Sequence, residues 1–339
     1  MANYGNTIKD VALKAGVSIS TVSKAFSNHV DLSEKTRARV LTVAAEMHYT
    51  PNALIRSLRQ GNTRTVGFYA RWGVHPDTST DITGRIWHGI ADELARIGYD
   101  ALYFSGFASR TPDNVAATFL DGRVDAMIMA PGCVAPESLV ALVEFGLPAV
   151  VIYDRTAPKG IACVTVDNRA GTFMAMDHLF ALGHRRIAFY APYFSRDFEE
   201  RLSAYREAFA RRGVEPDPAW ILYNPSGQIL ETDAAERLIA SDPRPTALVT
   251  GDDNTALKVR TTLLDRGLSL PGDMSITGFD DVDAAGLYPG LTTIRQPAIE
   301  VGKTAAAYVG RLLKKEAARD CRTELPVELV VRASTCPPT

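Results

Sequence analysis

A chain of 339 residues is too long for one small core, so two or three domains are expected. With 46% hydrophobic and 22% charged residues it has the composition of an ordinary globular protein. Its longest apolar runs, such as GLPAVVIY at 146–153, fall far short of a bilayer span. A formal net charge of −2 hides an asymmetry: residues 1–64 carry nine Lys/Arg against four acids, +5, and the remainder carries 28 against 35, −7. A positive head on a negative body suits a head that meets a polyanion and a body that avoids one.

The head reads as three short helices. Ile8, Val11, Ala12 and Ala15 recur at helical spacing, and Gly16 can end that helix in a left-handed conformation. Ser18 can cap a second helix over 19–26, with Val22 and Phe26 expected to point inward. A third helix over about 33–48 is expected to bury Val40, Leu41, Ala44 and Met47. Two short helices joined at a glycine turn make a helix-turn-helix. The second helix exposes Ile19, Ser20, Ser23 and Lys24, with Thr21 near its start. Short hydroxyls can approach phosphates and a long cation can reach a base edge. A solvated helix face is the plain alternative.

Next comes a connector. Thr50 before Pro51 reads as a cap followed by proline at the first helical position, and Gly61 limits this helix to about Gln60. It carries Leu54, Ile55 and Leu58 with Arg56 and Arg59. So short a helix needs something packed on it to form. Apolar wedges beside arginines suit a minor groove pried open at a base step; a linker helix lying on the body is the alternative.

The stretches TIKDVALKAGVSISTVSKAFSN, SEKTRARVL and YTPNALIRSLRQGNT, almost continuous over residues 7–63, resemble the lac repressor/purine repressor family of bacterial transcription regulators. The resemblance implies base-reading roles for Ile19, Ser20 and Lys24, and phosphate roles for Ser18, Thr21, Ser23 and Tyr49. It also places Thr7, Asn52 and Arg59 at the DNA and makes Leu58 the residue levered into the minor groove. Ile55 departs from the family, which usually has alanine there.

From residue 64 onward, strand-like runs alternate with helical ones. Strands are expected at 65–70, 100–105, 124–130, 148–154, 163–167, 186–192, 246–251 and 275–280. Helices are expected near 82–97, 136–145, 168–182, 197–212, 229–240, 254–266 and 297–316. Such alternation means βαβ units on parallel sheets, and two sets of strands mean two lobes. The expected fold is therefore an all-α helix-turn-helix head on a two-lobed α/β body. Its divisions are 1–50, a hinge and linker at 51–63, and a body at 64–339. Within the body, one lobe takes about 64–162 plus 297–325 and the other about 163–296 plus 326–335.

Ligands of open α/β sheets gather at the carboxyl ends of the strands. Those ends carry Arg71 and Trp72, Asp154 and Arg155, Asp252 and Asp253, and Asp280 and Asp281; Arg201 follows the loop YFSRDFEE, which holds Arg196. Carboxylates and a guanidinium bind hydroxyls and an aromatic ring packs on a sugar's C–H face, although each residue alone can equally serve a loop or a helix cap. In the body, TVDNRAGTFMAMDHLFALGHRRIAF, RLSAYREAF, PTALVTGDDNTALKV, GDMSITGFDDV and LTTIRQP look like segments of the periplasmic sugar-binding fold that the same family uses as a sensor. That resemblance implies effector contacts at Arg201, Asp252 and Asp280, with Asp154 and Arg155 as further candidates; RWGVHPDTSTD is individual to this chain, so Trp72, like Arg196, is a candidate by its placement and not by the resemblance. Asp252 stands where the lac repressor has asparagine.

No GxGxxG, P-loop, GxSxG or HExxH motif occurs. The acid pairs could serve acid–base work, but no nucleophile accompanies them, and His184 in LGHRRIAF reads as packing near a helix end. The four cysteines, at 133, 163, 321 and 336, form no CxxC pair, so free thiols and no structural metal or cofactor are expected. No apolar segment follows the first Met, so a cytoplasmic location is expected. The expected partners are double-stranded operator DNA, a small-molecule effector such as a sugar, and a second copy of the chain. A dimer is favoured because no leucine-heptad helix follows STCPPT. A sugar-transport binding protein would need an export signal and no head, and a sugar-processing enzyme would turn its substrate over.

Overall fold

The computed structural model describes residues 6–26, 32–50, 57, 61–70, 82–104, 118–130, 136–282 and 290–339. The fold divides into two units, Met1–Thr63 and Arg64–Thr339.

In the first unit, α1 (Ile8–Ala15) opens on a reciprocal cap. The Thr7 N–H donates to Asp10 Oδ2 at 2.8 Å, and Thr7 Oγ1 accepts from the Asp10 N–H. Gly16 closes the helix at φ +63°, and the Val17 N–H then reaches the Ala12 carbonyl at 3.0 Å. Ser18 caps α2 (Ile19–Phe26) through the Thr21 N–H at 3.1 Å, and Ser33 caps α3 (Glu34–Glu46) through Thr36. The small core is Val11, Val22 and Val40, filled in by Ala12, Ala15, Ala25 and Ala44. Phe26 and Leu41 are not in it. They are 37% and 39% exposed, because Ala25 fills the position beside Val22 while Phe26 moves to the rim, edge-on to Tyr49 at 5.8 Å. Met47 is half-buried against the core, as its place at the end of α3 allows.

The second unit holds two parallel sheets. The first lobe contributes β1 (Thr65–Tyr69), α4 (Ile82–Arg96), β2 (Asp100–Phe104), β3 (Ala126–Met129), α5 (Pro136–Glu144), β4 (Ala149–Ile152) and β5 (Ala162–Val166). The second contributes α6 (Asn168–Ala181), β6 (Ile187–Tyr190), α7 (Arg196–Ala210), β7 (Ile221–Leu222), α8 (Glu231–Ala240), β8 (Ala247–Thr250), α9 (Asp253–Asp265) and β9 (Ser275–Thr277). The chain then runs through β10 (Thr293–Arg295), α10 (Ala298–Leu313), β11 (Arg322–Leu325) and β12 (Glu328–Val330). Sheet order is β11-β5-β4-β3-β1-β2 in one lobe and β7-β6-β8-β9 in the other, all parallel, while β10 and β12 pair antiparallel.

Strand β5 lies in the first sheet, with Ala162 opposite Val150 and Cys163 opposite Val151. Residue 163 therefore does not open the second lobe; the chain first crosses after Val166. It crosses again between β10 and α10, and a third time between β11 and β12. Two helices cover the first sheet at very close range. A Cβ on Gly89 of α4 would lie 2.1 Å from the Ile299 carbonyl oxygen, and one on Gly302 of α10 would lie 2.2 Å from that of Ile86. This contact fixes α4, whose first turn borders the cavity described next. No described helix is long and apolar enough to cross a membrane.

Candidate functional sites

In the head, the N-terminus of α2 presents Ser18, Ile19 and Ser20 to solvent, with Ile19 39% exposed despite its apolar side chain. Thr21, Ser23 and Lys24 follow, each half-buried along the helix. Thr7 and Ser18 also cap helices, so their hydroxyls are oriented: Ser18 Oγ sits 2.9 Å from Thr21 Oγ1. An α-helix N-terminus lined with small hydroxyls offers backbone and side-chain donors to an anion. Asn52, Ile55, Leu58 and Arg59 lie outside the described residues.

In the body, a cavity of about 300 Å³ is lined from both lobes. The first lobe supplies Ile82, Thr83 and Ile86 of α4 and Tyr153 after β4. From the second come Tyr193, Ser195, Asp197, Phe198 and Arg201 around the start of α7, then Asp252 and Asn254 after β8 and Asp280 after β9; Gln296 borders it from the second crossing. The expected strand-end placement thus brings Arg201, Asp252 and Asp280 together.

Arg201 is 4% exposed and rigidly held. Its Nε donates to Asn168 Oδ1 at 2.9 Å, its Nη1 donates to the Gly251 carbonyl, and its guanidinium lies 3.5 Å from the Phe279 ring centroid. Asn168 in turn donates to Asp197 Oδ1 at 2.8 Å. Gly251 is required here, since a Cβ would meet Phe198 at 2.9 Å. Burial pushes the Asp197 carboxyl up to about 6, against the pull of Arg201. Burial drives Asp280 well above the ordinary carboxylate range too, again opposed by Arg201. Asp280 accepts from Gln296 Nε2 and adopts φ +123°, and Tyr153 has φ +57°. Such backbone costs free energy and tends to collect at ligand sites. Tyr153 Oη and Gln296 Oε1 are buried without a hydrogen-bond partner, two polar groups at the cavity that a ligand would satisfy.

The two acid pairs split. Asp252 lines the cavity while its Oδ1 caps α9 through the Thr255 N–H at 2.7 Å. Asp253 turns into the protein instead, where it accepts from the Val282 N–H at 3.0 Å and from Thr293 Oγ1, and burial raises its carboxyl to about 7. Asp281 is clamped by Arg295 at 2.7 Å and Arg332 at 2.6 Å. Three further candidates are engaged elsewhere. Arg196 pairs with Glu199 at 3.0 Å on the surface, next in its own helix turn. Asp154 closes a local turn by accepting from the Thr156 N–H at 2.9 Å. Arg155 pairs with Glu200 at 3.3 Å and with Glu324. Trp72 lies outside the described residues. Sequence reasoning misses Tyr153, Tyr193, Ser195, Asp197, Phe198, Asn254 and Gln296, although Asp197 sits within the YFSRDFEE loop that draws attention to Arg196.

A larger open depression of about 1070 Å³ runs beside Phe180, Phe209 and Trp220, and three of its charged groups are engaged by the protein: Arg212 pairs with Asp177 at 2.8 Å, and Arg185 donates to the Phe180 carbonyl at 3.1 Å. His184 is buried and tied into the fold by Thr246 at 2.9 Å and the Cys336 carbonyl at 2.9 Å. Cys163, Cys321 and Cys336 are free thiols; Cys133 lies outside the described residues. No group of three or more His, Cys, Asp or Glu suited to a metal occurs among the described residues.

Residues 7–52 match the lacI family of bacterial regulatory proteins, and residues 176–335 match a periplasmic binding protein-like domain. The chain is similar to the HTH-type transcriptional regulator DegA of Bacillus subtilis, 31% identical over 98% of each chain. It is also similar to the HTH-type transcriptional repressor CytR of Escherichia coli, 31% identical over 97% of this chain and 96% of that one. Among solved structures, the lac repressor dimer bound to operator and the anti-inducer ONPF aligns with a TM-score of 0.84 at 24% identity, over 98% of this chain and 100% of that chain. A complex of the transcriptional regulator CelR with cellobiose aligns with a TM-score of 0.72 at 25% identity, over 97% of this chain and 100% of that chain.

Proposed function

This chain belongs to the lacI family of bacterial regulatory proteins and is an effector-controlled transcriptional regulator, not an enzyme, and on that premise we propose that its effector is an uncharged polyhydroxylated molecule, a sugar. The observation that carries this is the cavity's surplus of acceptors. Asp197, Asp252, Asp280 and Gln296 face a space in which the guanidinium of Arg201 already donates to Asn168 and Gly251. Among the described residues, no Lys or His lines it. A phosphate or carboxylate would meet three acids and, among the described residues, one cation, Arg201, two of whose five N–H groups already donate to protein, whereas sugar hydroxyls can accept from the remaining guanidinium N–H groups and from Tyr153 and donate to carboxylates. Phe198 and Tyr193 offer apolar ring area to a sugar's C–H face.

On the DNA side, α2 lies in the major groove, with Ile19, Ser20 and Lys24 at base edges and Thr7, Ser18, Thr21, Ser23 and Tyr49 at phosphates. The segment at 51–60 forms its helix on the operator and drives Leu58, flanked by Asn52 and Arg59, into the minor groove. The chain works as a cytoplasmic homodimer, and its two heads read the half-sites of a pseudo-palindrome. The effector shifts the balance between lobe arrangements that favour and disfavour paired heads. By reciprocity, DNA changes effector affinity by the same factor.

The test is a thermal-shift screen of full-length protein against ribose, glucose, galactose and cellobiose, with their phosphates and free purines alongside. A neutral sugar should raise the melting temperature and change operator affinity in gel shifts. Stabilisation by phosphates or purines alone would overturn the proposal.

A further inference from the structure

Asn168 sits where the chain first leaves the first lobe: β5 ends at Val166, and Asn168 is the first residue of α6. Its side chain is fully buried and its amide is fully used. Oδ1 accepts from Arg201 Nε at 2.9 Å, and Nδ2 donates to Asp197 Oδ1 at 2.8 Å and to Glu200 Oε2 at 3.0 Å. Arg201 fixes the amide's orientation, because a guanidinium can only donate and so requires the oxygen, not the nitrogen, of Asn168 opposite its Nε. Glu200 then reaches across to the first lobe, with its Oε1 3.3 Å from Arg155 Nε. Arg155 also pairs with Glu324 of β11 and donates to the Val166 carbonyl at 3.4 Å. Polar contacts therefore run without a break from a cavity residue to the segments that join the lobes.

We infer that Asn168 is the positioning residue of this cavity: it aims Arg201, and it carries ligand occupancy to the Arg155–Glu200 contact between the lobes. This rests on reading the cavity as the effector site. The two Nδ2 hydrogens are shared between Asp197 and Glu200. A ligand that draws Asp197 into its ionised form strengthens one of these bonds at the other's expense and changes how firmly Glu200 is held for Arg155. Because Asn168, Asp197 and Arg201 are buried, any of them left unsatisfied is costly, so the amide cannot be replaced by shape alone.

The experiment uses full-length protein and needs no ligand. The first readout is exchange of the Arg201 Nε–H with solvent by NMR, its resonance identified by its loss in Arg201→Lys. Asn168→Ala should speed this exchange about tenfold or more, through loss of a hydrogen bond to a charged group. The second readout separates positioning from packing. Asn168→Asp keeps the shape but buries a carboxylate, which by itself lowers the melting temperature, so the discriminating measurement is rescue by a second substitution at the partner. The expected result is a fall, since the introduced carboxylate would face those of Asp197 and Glu200. Adding Glu200→Gln, whose amide can donate to that carboxylate, should restore about half of the fall or more. Unchanged Arg201 exchange in Asn168→Ala overturns the inference. So does an Asn168→Asp melting temperature that does not fall, or one that Glu200→Gln does not restore. Should the alanine variant fail to fold, the aspartate pair decides by itself. A negative outcome here leaves the cavity's ligand class to the independent sugar screen.

Discussion

Arg201→Ala tests the sensor site most severely, because the side chain both contacts the cavity and closes the network around it. Its removal strips the donor from Asn168 Oδ1, 2.9 Å away, and from the Gly251 carbonyl. Each buried acceptor left unpaired costs about 1–3 kcal/mol. The Phe279 ring loses a guanidinium 3.5 Å from its centroid, worth about 0.5–2 kcal/mol. One effect works the other way. Asp197 and Asp280 take up protons more readily once the cation is gone, which limits the charge left buried. The losses share partners and do not add fully, so the expected destabilisation is about 3–5 kcal/mol. The assay is urea unfolding of the full-length protein followed by tryptophan fluorescence. Trp72, Trp87 and Trp220 all belong to the unit that begins at Arg64, so the signal reports on the body and not on the head. Arg201→Lys, which keeps a charge but loses the fork and the flat ring contact, should fall between. A loss below about 1 kcal/mol for the alanine variant would mean that the network is not closed as described.

Gly302→Ala places a methyl group 2.2 Å from a backbone oxygen that cannot step aside, so a loss of about 1–3 kcal/mol or more is expected in the same unfolding assay; an unchanged midpoint would contradict the close crossing of α4 and α10. Sugar affinity should rise with pH through about 6, because burial holds Asp197 protonated below that point and hydroxyl donors bind its ionised form. Calorimetry in two buffers of different ionisation enthalpy should show proton release at pH near 6, and affinity that falls as pH rises would reverse this sign. Lys24→Ala should cost about 1–3 kcal/mol on operator DNA and relax preference at one or two positions; equal losses on operator and random duplex would remove Lys24 from base reading. Leu58→Ala should reduce the bend of bound DNA, and an unchanged bend angle by gel phasing would exclude the wedge.

Apolar patterning carries most of the architecture and stops where its physics stops. Gly16, the Ser18 cap and the spacing of Val11, Ala12 and Ala15 suffice to place two helices at a turn, since each is a local backbone requirement. Strands such as AMIM and AVVI announce themselves because parallel strands are buried on both faces. For the same reason the pattern puts β5 in the wrong lobe: a strand buried along its whole length reads alike in either sheet, and only its register against β4 decides. Helical period marks a side and not a depth, which is why it points Phe26 and Leu41 inward when smaller residues fill that core. Strands β7, β10 and β12, with two or three residues each, are too short for any periodic signal.

At the cavity, strand-end logic finds the acid pairs but does not sort them. Neighbours at a strand end point in different directions, and Asp253 and Asp281 are claimed by Thr293, Arg295 and Arg332, all distant in sequence or on later segments. Tyr153 and Gln296 carry no local mark; what singles them out is a polar atom buried without a partner, which only the folded chain reveals.

The central claim is that the head reads a defined duplex and that a molecule held in the body sets how tightly. The most direct measurement is repeated selection of duplexes from a random pool by the purified full-length protein. It is followed by titration of the winning duplex at fixed salt, with and without the sugar that raises the melting temperature. The expected result is one enriched pseudo-palindrome whose affinity changes at least several-fold with the sugar. A pool with no enriched sequence, or an enriched duplex bound equally well at every sugar concentration, would contradict the claim.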